Sequence, residues 1–177
     1  LKSALSNNIF GGLFTNDDRK LEIIEGKLRG LDAIDGTLAL GNRQLLVLDI
    51  SATEQLKAAV AVGNVDTADH VAVFTPGFRT TVQDSLDDID RDMAALRTLA
   101  VAESTKYGDG GSVATVAWLG YEAPQANEVF DMGGRSVANE SLARAGSQDL
   151  AAFYRDINSS RDTDPHLTAL GHSYGST

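Results

Sequence analysis

Cysteine is absent from the 177 residues. This removes disulfide frameworks, thiolate zinc sites and thiol catalysis, but says little about compartment, because many exported proteins also lack it. Long hydrophobic runs are missing too. No segment approaches the roughly 18 apolar residues of a membrane span, and no basic flank leads from Leu1 into an apolar run of signal length. A signal or anchor, if one exists, lies outside these residues. Positive charge is short: 15 Lys and Arg stand against 25 Asp and Glu, for a net charge of -10, and the basic residues do not cluster. Such a chain is repelled by phosphate backbones and anionic membranes, which argues against nucleic acid as a partner.

What is present is an ordinary globular composition, 42% hydrophobic and 23% charged, in a length suited to one domain with a real core. Residues 1–14 carry no clear period. From Asn16, a plausible N-cap, the spacing predicts a helix with Leu21, Ile24, Leu28 and Leu31 on its apolar face, ending near Gly36 or Gly41. Residues 44–50 (QLLVLDI) read as a buried strand. Residues 57–62 (KAAVAV) suit helix or strand, and are read as a strand in a hairpin with 44–50.

A strand over 71–75 then breaks at Pro76-Gly77, and Leu86, Ile89, Met93, Leu96 and Ala100 recur at helical spacing. Asp84, Asp87, Asp88 and Asp90 crowd the start of that helix. They read as a solvated acidic face that suits the helix dipole; a calcium site is the lesser alternative, since the glycine and terminal glutamate of a calcium loop are lacking. A strand over 113–119 follows, then a helix over about 137–157 with Leu142, Gly146, Leu150, Phe153 and Ile157 on one face, and a last strand over 166–171. Strands alternating with helices predict a three-layer α/β fold, with a mainly parallel central sheet and helices on both faces.

Gly171-His172-Ser173-Tyr174-Gly175 fits G-x-S-x-G, a strand-to-helix turn that lifts a serine hydroxyl clear of the sheet. The pentapeptide alone is a weak signal and also occurs as a plain glycine-rich turn. Its position after an apolar strand strengthens it. Thr75-Pro76-Gly77-Phe78-Arg79, after the strand at 71–75, stands where such enzymes place one donor of an oxyanion hole. The candidate donors are therefore the backbone N–H groups of Tyr174 and of Phe78 or its neighbour. Gly77, Trp118 and Tyr121 are candidate pocket residues, although a core tryptophan followed by a turn explains Trp118 equally. Asp109, Glu122, Glu128 and Asp131 are expected around the same region without metal-like spacing, so no metal and no cofactor is expected.

VAVGNVDTADHVAVFTPG (60–77), VAWLGYEAP (116–124) and LTALGHSYGST (167–177) together resemble a group of α/β-hydrolases, found mainly in actinobacteria, whose biochemical role is largely unassigned. The resemblance covers residues 42–177, and implies an N-terminal portion of an α/β-hydrolase domain with Ser173 as nucleophile. Residues 1–41 resemble the helical lead-in that precedes the domain in such proteins. Glu122 departs from the aspartate more usual in the WLGYDAP phrase, which leaves the role of that acid open.

In the order Ser, Asp/Glu, His of this fold, the acid and the histidine follow the nucleophile. Both are expected beyond residue 177, in a remainder of the domain carried by the same gene product or a separate chain. His70 and His166 begin strands, and His172 lies inside the turn, so all three read as structural or solvent-facing. The expected function is a serine hydrolase acting on an ester or related acyl bond of a small molecule. The alternatives are a non-catalytic binding module of the same fold, and, more weakly, a docking role for the acidic lead-in.

Overall fold

The computed structural model describes residues 16–125 and 141–176. Among them, the strands are β1 (Arg43–Asp49), β2 (Lys57–Val62), β3 (His70–Thr75), β4 (Val113–Leu119) and β5 (His166–Gly171), and the helices are α1 (Asn16–Ala39), α2 (Val82–Tyr107) and α3 (Ser141–Ser159). Residues 1–15, the expected helix start at 137–140, Glu128, Asp131 and Thr177 lie outside the described residues, as do the side chains of Asn16 and Leu142. No described helix is long and apolar enough to cross a membrane.

The strands form one sheet in the order β1-β2-β4-β3-β5. β1 and β2 make the expected antiparallel hairpin, β2 also runs antiparallel to β4, and β3 runs parallel to both β4 and β5. β2 is a strand despite its alanines because it lies between two others. There, small side chains let layers pack on both faces.

Alternate residues feed two cores. Ala59, Ala61, Val116 and Trp118 pack with Phe153 and Ile157 of α3, while Ala58, Val60, Ala117 and Leu119 pack with Val82, Leu86 and Met93 of α2. All seven residues of β4 are buried, as expected of a strand covered on both faces. The crossovers β3–α2–β4 and β4–α3–β5 run in opposite directions along the sheet, and the fixed hand of such connections sends their helices to opposite faces.

Two expectations need correction. The stripe of Leu21, Ile24, Leu28 and Leu31 is only in part the packed face of α1: Leu31 packs against the core, whereas Ile24 and Leu28 are each 55% exposed. The face against the domain carries Gly26, Gly30, Ile34 and Thr37. Glycine lets the backbone come close: a Cβ on Gly30 would stand 2.6 Å from Cδ2 of Leu56. The helix ends at Ala39, between the two glycines proposed as its stop, and Gly41 beyond it has φ +75°.

The second correction concerns Asp90, which is not part of a solvated acidic face. It is 1% exposed and takes two hydrogen bonds from Arg43 of β1, at 2.9 Å from Nε and 2.7 Å from Nη2. The bond to Asp90 raises the pKa of the Arg43 guanidinium further. The other three aspartates behave as a helix start should: Asp84 accepts from Thr81 Oγ1 at 2.8 Å, Asp87 and Asp88 are exposed, and Asp88 pairs with Arg91.

Candidate active site

Thr75 at the end of β3 is in register with Gly171 at the end of β5, so residues 76–79 and 172–176 leave the sheet side by side. Ser173 has φ +54° and opens a short 3-10 turn, Ser173–Ser176. A side chain in that left-handed conformation costs on the order of 1–3 kcal/mol and persists only where its surroundings enforce it. They do so through glycine. A Cβ on Gly175 would fall onto the carbonyl oxygens of Thr75 and Pro76, and one on Gly171 would stand 2.9 Å from Cα of Ser176. The His172 N–H donates to Thr75 O at 3.1 Å, and the Gly175 N–H donates to His172 O at 3.0 Å.

The Pro76-Gly77 turn presses against this elbow. A Cβ on Gly77 would lie 2.7 Å from His172 O, 2.8 Å from Ser173 Cβ and 3.1 Å from Tyr174 N. The two loops expected to offer oxyanion donors, at Phe78 and Tyr174, are therefore in backbone contact. Gly77 serves that contact.

Residues 120–124, after β4, hold the 76–79 loop at both ends. Tyr121 Oη donates to Pro76 O at 2.7 Å, and the Arg79 N–H donates to Pro124 O at 2.9 Å, with Arg79 itself at φ +65°. Glu122 anchors this clamp by accepting the N–H groups of Glu54 and Gln55 at 2.6 and 3.2 Å, and Gln55 Nε2 donates to Ala123 O at 2.8 Å. The role of Glu122 left open by the sequence is structural at this point. Gln55 was not anticipated: its partner is 68 residues away, and no local pattern signals it.

The aromatic residues form a ladder. Tyr121 stacks on Trp118 with ring centroids 6.0 Å apart and on Tyr174 at 6.4 Å. Burial, with Tyr174 adding to it, pushes the Tyr121 hydroxyl well above the ordinary phenol range, so it stays protonated as a donor. Tyr174 Oη accepts the Ala143 N–H of α3 at 3.1 Å. Trp118 and Tyr121 line a cavity of about 390 Å³ under the elbow, together with Gly146, Leu150, Ala169 and Tyr174. Trp118 is 2% exposed, so it is a core residue that also borders this space.

The other expected groups lie elsewhere. Asp109 is not near Trp118 and Tyr121 but at the opposite end of the sheet, where His70 Nε2 is 3.1 Å from its Oδ1. The Gly111 N–H, followed by His70, holds the Asp109 carboxyl down to about 2. His70 and His166 meet edge to face at 5.6 Å, their residues paired at the starts of β3 and β5. The extended chain from His166 to Ser173 spans about 20 Å, which puts both imidazoles out of reach of the serine. His172 is exposed beside it. Among the described residues, no group of three or more His, Asp or Glu is placed to hold a metal ion.

An uncharacterized protein of Mycobacterium bovis is 35% identical over 155 residues, which are 85% of this chain and 56% of that protein. An uncharacterized protein of Mycobacterium tuberculosis matches with the same identity and coverage. Another from that organism is 37% identical over 126 residues, 68% of this chain and 17% of its own length. The chain thus spans little more than half of the first two relatives. No solved structure matches it significantly. A family model described as alpha/beta hydrolase matches residues 51–177, from the β1–β2 turn through the elbow. That span holds every element that builds the turn at Ser173, and on it the chain belongs to the alpha/beta hydrolase family.

Proposed function

We propose that the protein is a serine hydrolase of ester or related acyl bonds, and that residues 1–177 carry the nucleophile and oxyanion-binding half of its site. The observation that carries the reading is Ser173 at φ +54°, held in that conformation by Gly175 against the β3 carbonyls, with the Gly77 turn against its Cβ. In the proposed reaction Ser173 Oγ bonds to the acyl carbon of a small-molecule substrate while its proton passes to a histidine. The Tyr174 and Phe78 N–H groups stabilise the oxyanion, and the C–O bond to the leaving alcohol breaks as that proton is returned to it. Water then cleaves the acyl-enzyme by the same route in reverse.

On this reading the histidine and its carboxylate come from sequence outside residues 1–177. Support for that comes from the about 20 Å between Ser173 and the His70–His166 pair, and from relatives that extend well beyond the matched region. Without a base the serine is a poor nucleophile, by about a hundred to ten thousandfold.

The test is to treat the full natural gene product with a fluorophosphonate probe and locate the adduct by mass. Label on Ser173, together with loss of activated-ester turnover in Ser173→Ala, is the expected result. A folded protein with neither label nor turnover overturns the reading in favour of a binding module that keeps the elbow only as structure.

A further inference from the structure

We propose that Tyr121 is a positioning residue for the oxyanion hole, setting the place of both backbone donors through one side chain. The inference rests on the acyl-hydrolase reading of Ser173 and goes beyond it, because Tyr121 is neither the nucleophile nor an oxyanion donor in that reading.

Its hydroxyl is buried and donates to Pro76 O at 2.7 Å. Pro76 O belongs to the peptide that links Pro76 to Gly77, so this bond fixes the plane from which the chain runs on to the Phe78 N–H. The other end of the loop is fixed independently, by the Arg79 N–H on Pro124 O, three residues after Tyr121. Proline at 76 contributes a fixed φ but no N–H of its own. The orientation of the turn therefore rests on its carbonyl, and Tyr121 holds that carbonyl.

The ring does the second task. Tyr121 lies between Trp118 and Tyr174, nearly parallel to both, with interplanar angles of 13° and 19°. Tyr174 is the residue after Ser173, and its N–H is the other donor. Its ring is pinned between Tyr121 and the α3 backbone, since Tyr174 Oη takes the Ala143 N–H. One residue on the loop after β4 thus holds the first donor's loop through its hydroxyl and the second donor's residue through its ring. Burial, with Tyr174 adding to it, raises the pKa of the hydroxyl and so favours its protonated, donating form.

A plain core tyrosine would stabilise the fold without aiming anything. The distinction is measurable with Tyr121→Phe in the full natural gene product, which removes the oxygen and keeps the ring. Displacing an oxyanion donor weakens transition-state binding alone, so kcat for an activated ester should fall about ten- to a hundredfold while KM stays within about twofold. Affinity for an alkyl trifluoromethyl ketone, which forms a tetrahedral adduct on serine, should fall by the same factor as kcat/KM. Met93→Ala is the control: it loosens the core on the other face of the sheet, away from the Trp118–Tyr121–Tyr174 ladder and Pro76. It should lower the melting temperature and leave kcat alone.

Wild-type protein that is labelled at Ser173, with kcat and ketone affinity unchanged in Y121F, overturns this inference and leaves the acyl-hydrolase reading standing. Wild-type protein that is neither labelled nor active overturns both. Should Y121F fail to fold, 3,5-difluorotyrosine at position 121 takes its place. That ring keeps the packing, but its hydroxyl is a more acidic donor and a weaker acceptor, which changes the bond to Pro76 O. Both kcat and ketone affinity should then shift together by the same factor, and no change in either counts against the assignment.

Discussion

Gly77 and Ser173, at the ends of neighbouring parallel strands, approach so closely that a Cβ on the glycine would stand 2.8 Å from the Cβ of the serine. The elbow and the loop opposite it are therefore one packed unit, and neither can shift alone. Gly77→Ala forces the two apart, because the atoms in the way are mostly backbone: His172 O at 2.7 Å and Tyr174 N at 3.1 Å. Displacing reacting groups by about 1 Å costs on the order of a hundredfold. Fluorophosphonate labelling of Ser173 in the G77A protein should slow by at least about tenfold, with the circular-dichroism spectrum retained. Labelling at the wild-type rate would show that the contact is incidental.

The positions of the strands are legible because each is a short apolar run between breakers, with 44–50 and 71–75 read where 43–49 and 70–75 are found; the burial expected of 44–50 is not, because β1 is the edge strand of the sheet and none of its residues is buried. The turn at Ser173 is legible because its glycines stand close to the serine in sequence, although the atoms that require Gly175, the carbonyls of Thr75 and Pro76, lie at the end of another strand. Two other features are not. Periodicity counts large apolar side chains, whereas α1 packs closely at Gly30, where a Cβ would stand 2.6 Å from Leu56 Cδ2. Asp90 sits among aspartates that are exposed, and its burial depends on Arg43, 47 residues earlier on another element. The clamp of Glu122 on Glu54 and Gln55 is hidden for the same reason, since contacts that distant leave no trace in local spacing.

The reassigned face of α1 predicts an asymmetry in stability. Ile34 is 4% exposed and packs with Leu56 and Val82, whereas Ile24 and Leu28 are each 55% exposed. Ile34→Ala should cost about 2–4 kcal/mol in urea unfolding. Ile24→Gln and Leu28→Gln should each stay within about 0.5 kcal/mol of wild type, as surface changes do. Equal losses at all three positions would restore the face read from periodicity.

The Arg43–Asp90 pair is buried at the aspartate, 1% exposed, and half-buried at the arginine, and joins β1 to α2. Removing one partner strands the other charge. Arg43→Met, which strands the buried Asp90 carboxylate, is therefore expected to destabilise by about 3–5 kcal/mol and more than Asp90→Ala, while Arg43→Met combined with Asp90→Leu should recover most of that loss because no lone charge is left inside. A double variant as unstable as R43M would mean that the pair itself, and not the stranded carboxylate, governs the loss.

At the other end of the sheet, Asp109 is held down to about 2 from an ordinary value of 3.8, first by the Gly111 N–H and then by His70. A carboxyl with a lowered folded pKa favours folding above its unfolded pKa, and that contribution disappears as pH falls through the folded one. The window is therefore from about pH 4 down to about 2. Carbon-detected NMR titration of the Asp109 carboxyl should give a midpoint near the bottom of that window. His70→Gln should raise the midpoint only part of the way, because the backbone donor at Gly111 is the larger cause and survives the change. A return to the ordinary value in that variant would make His70 the main partner and reverse the order of causes.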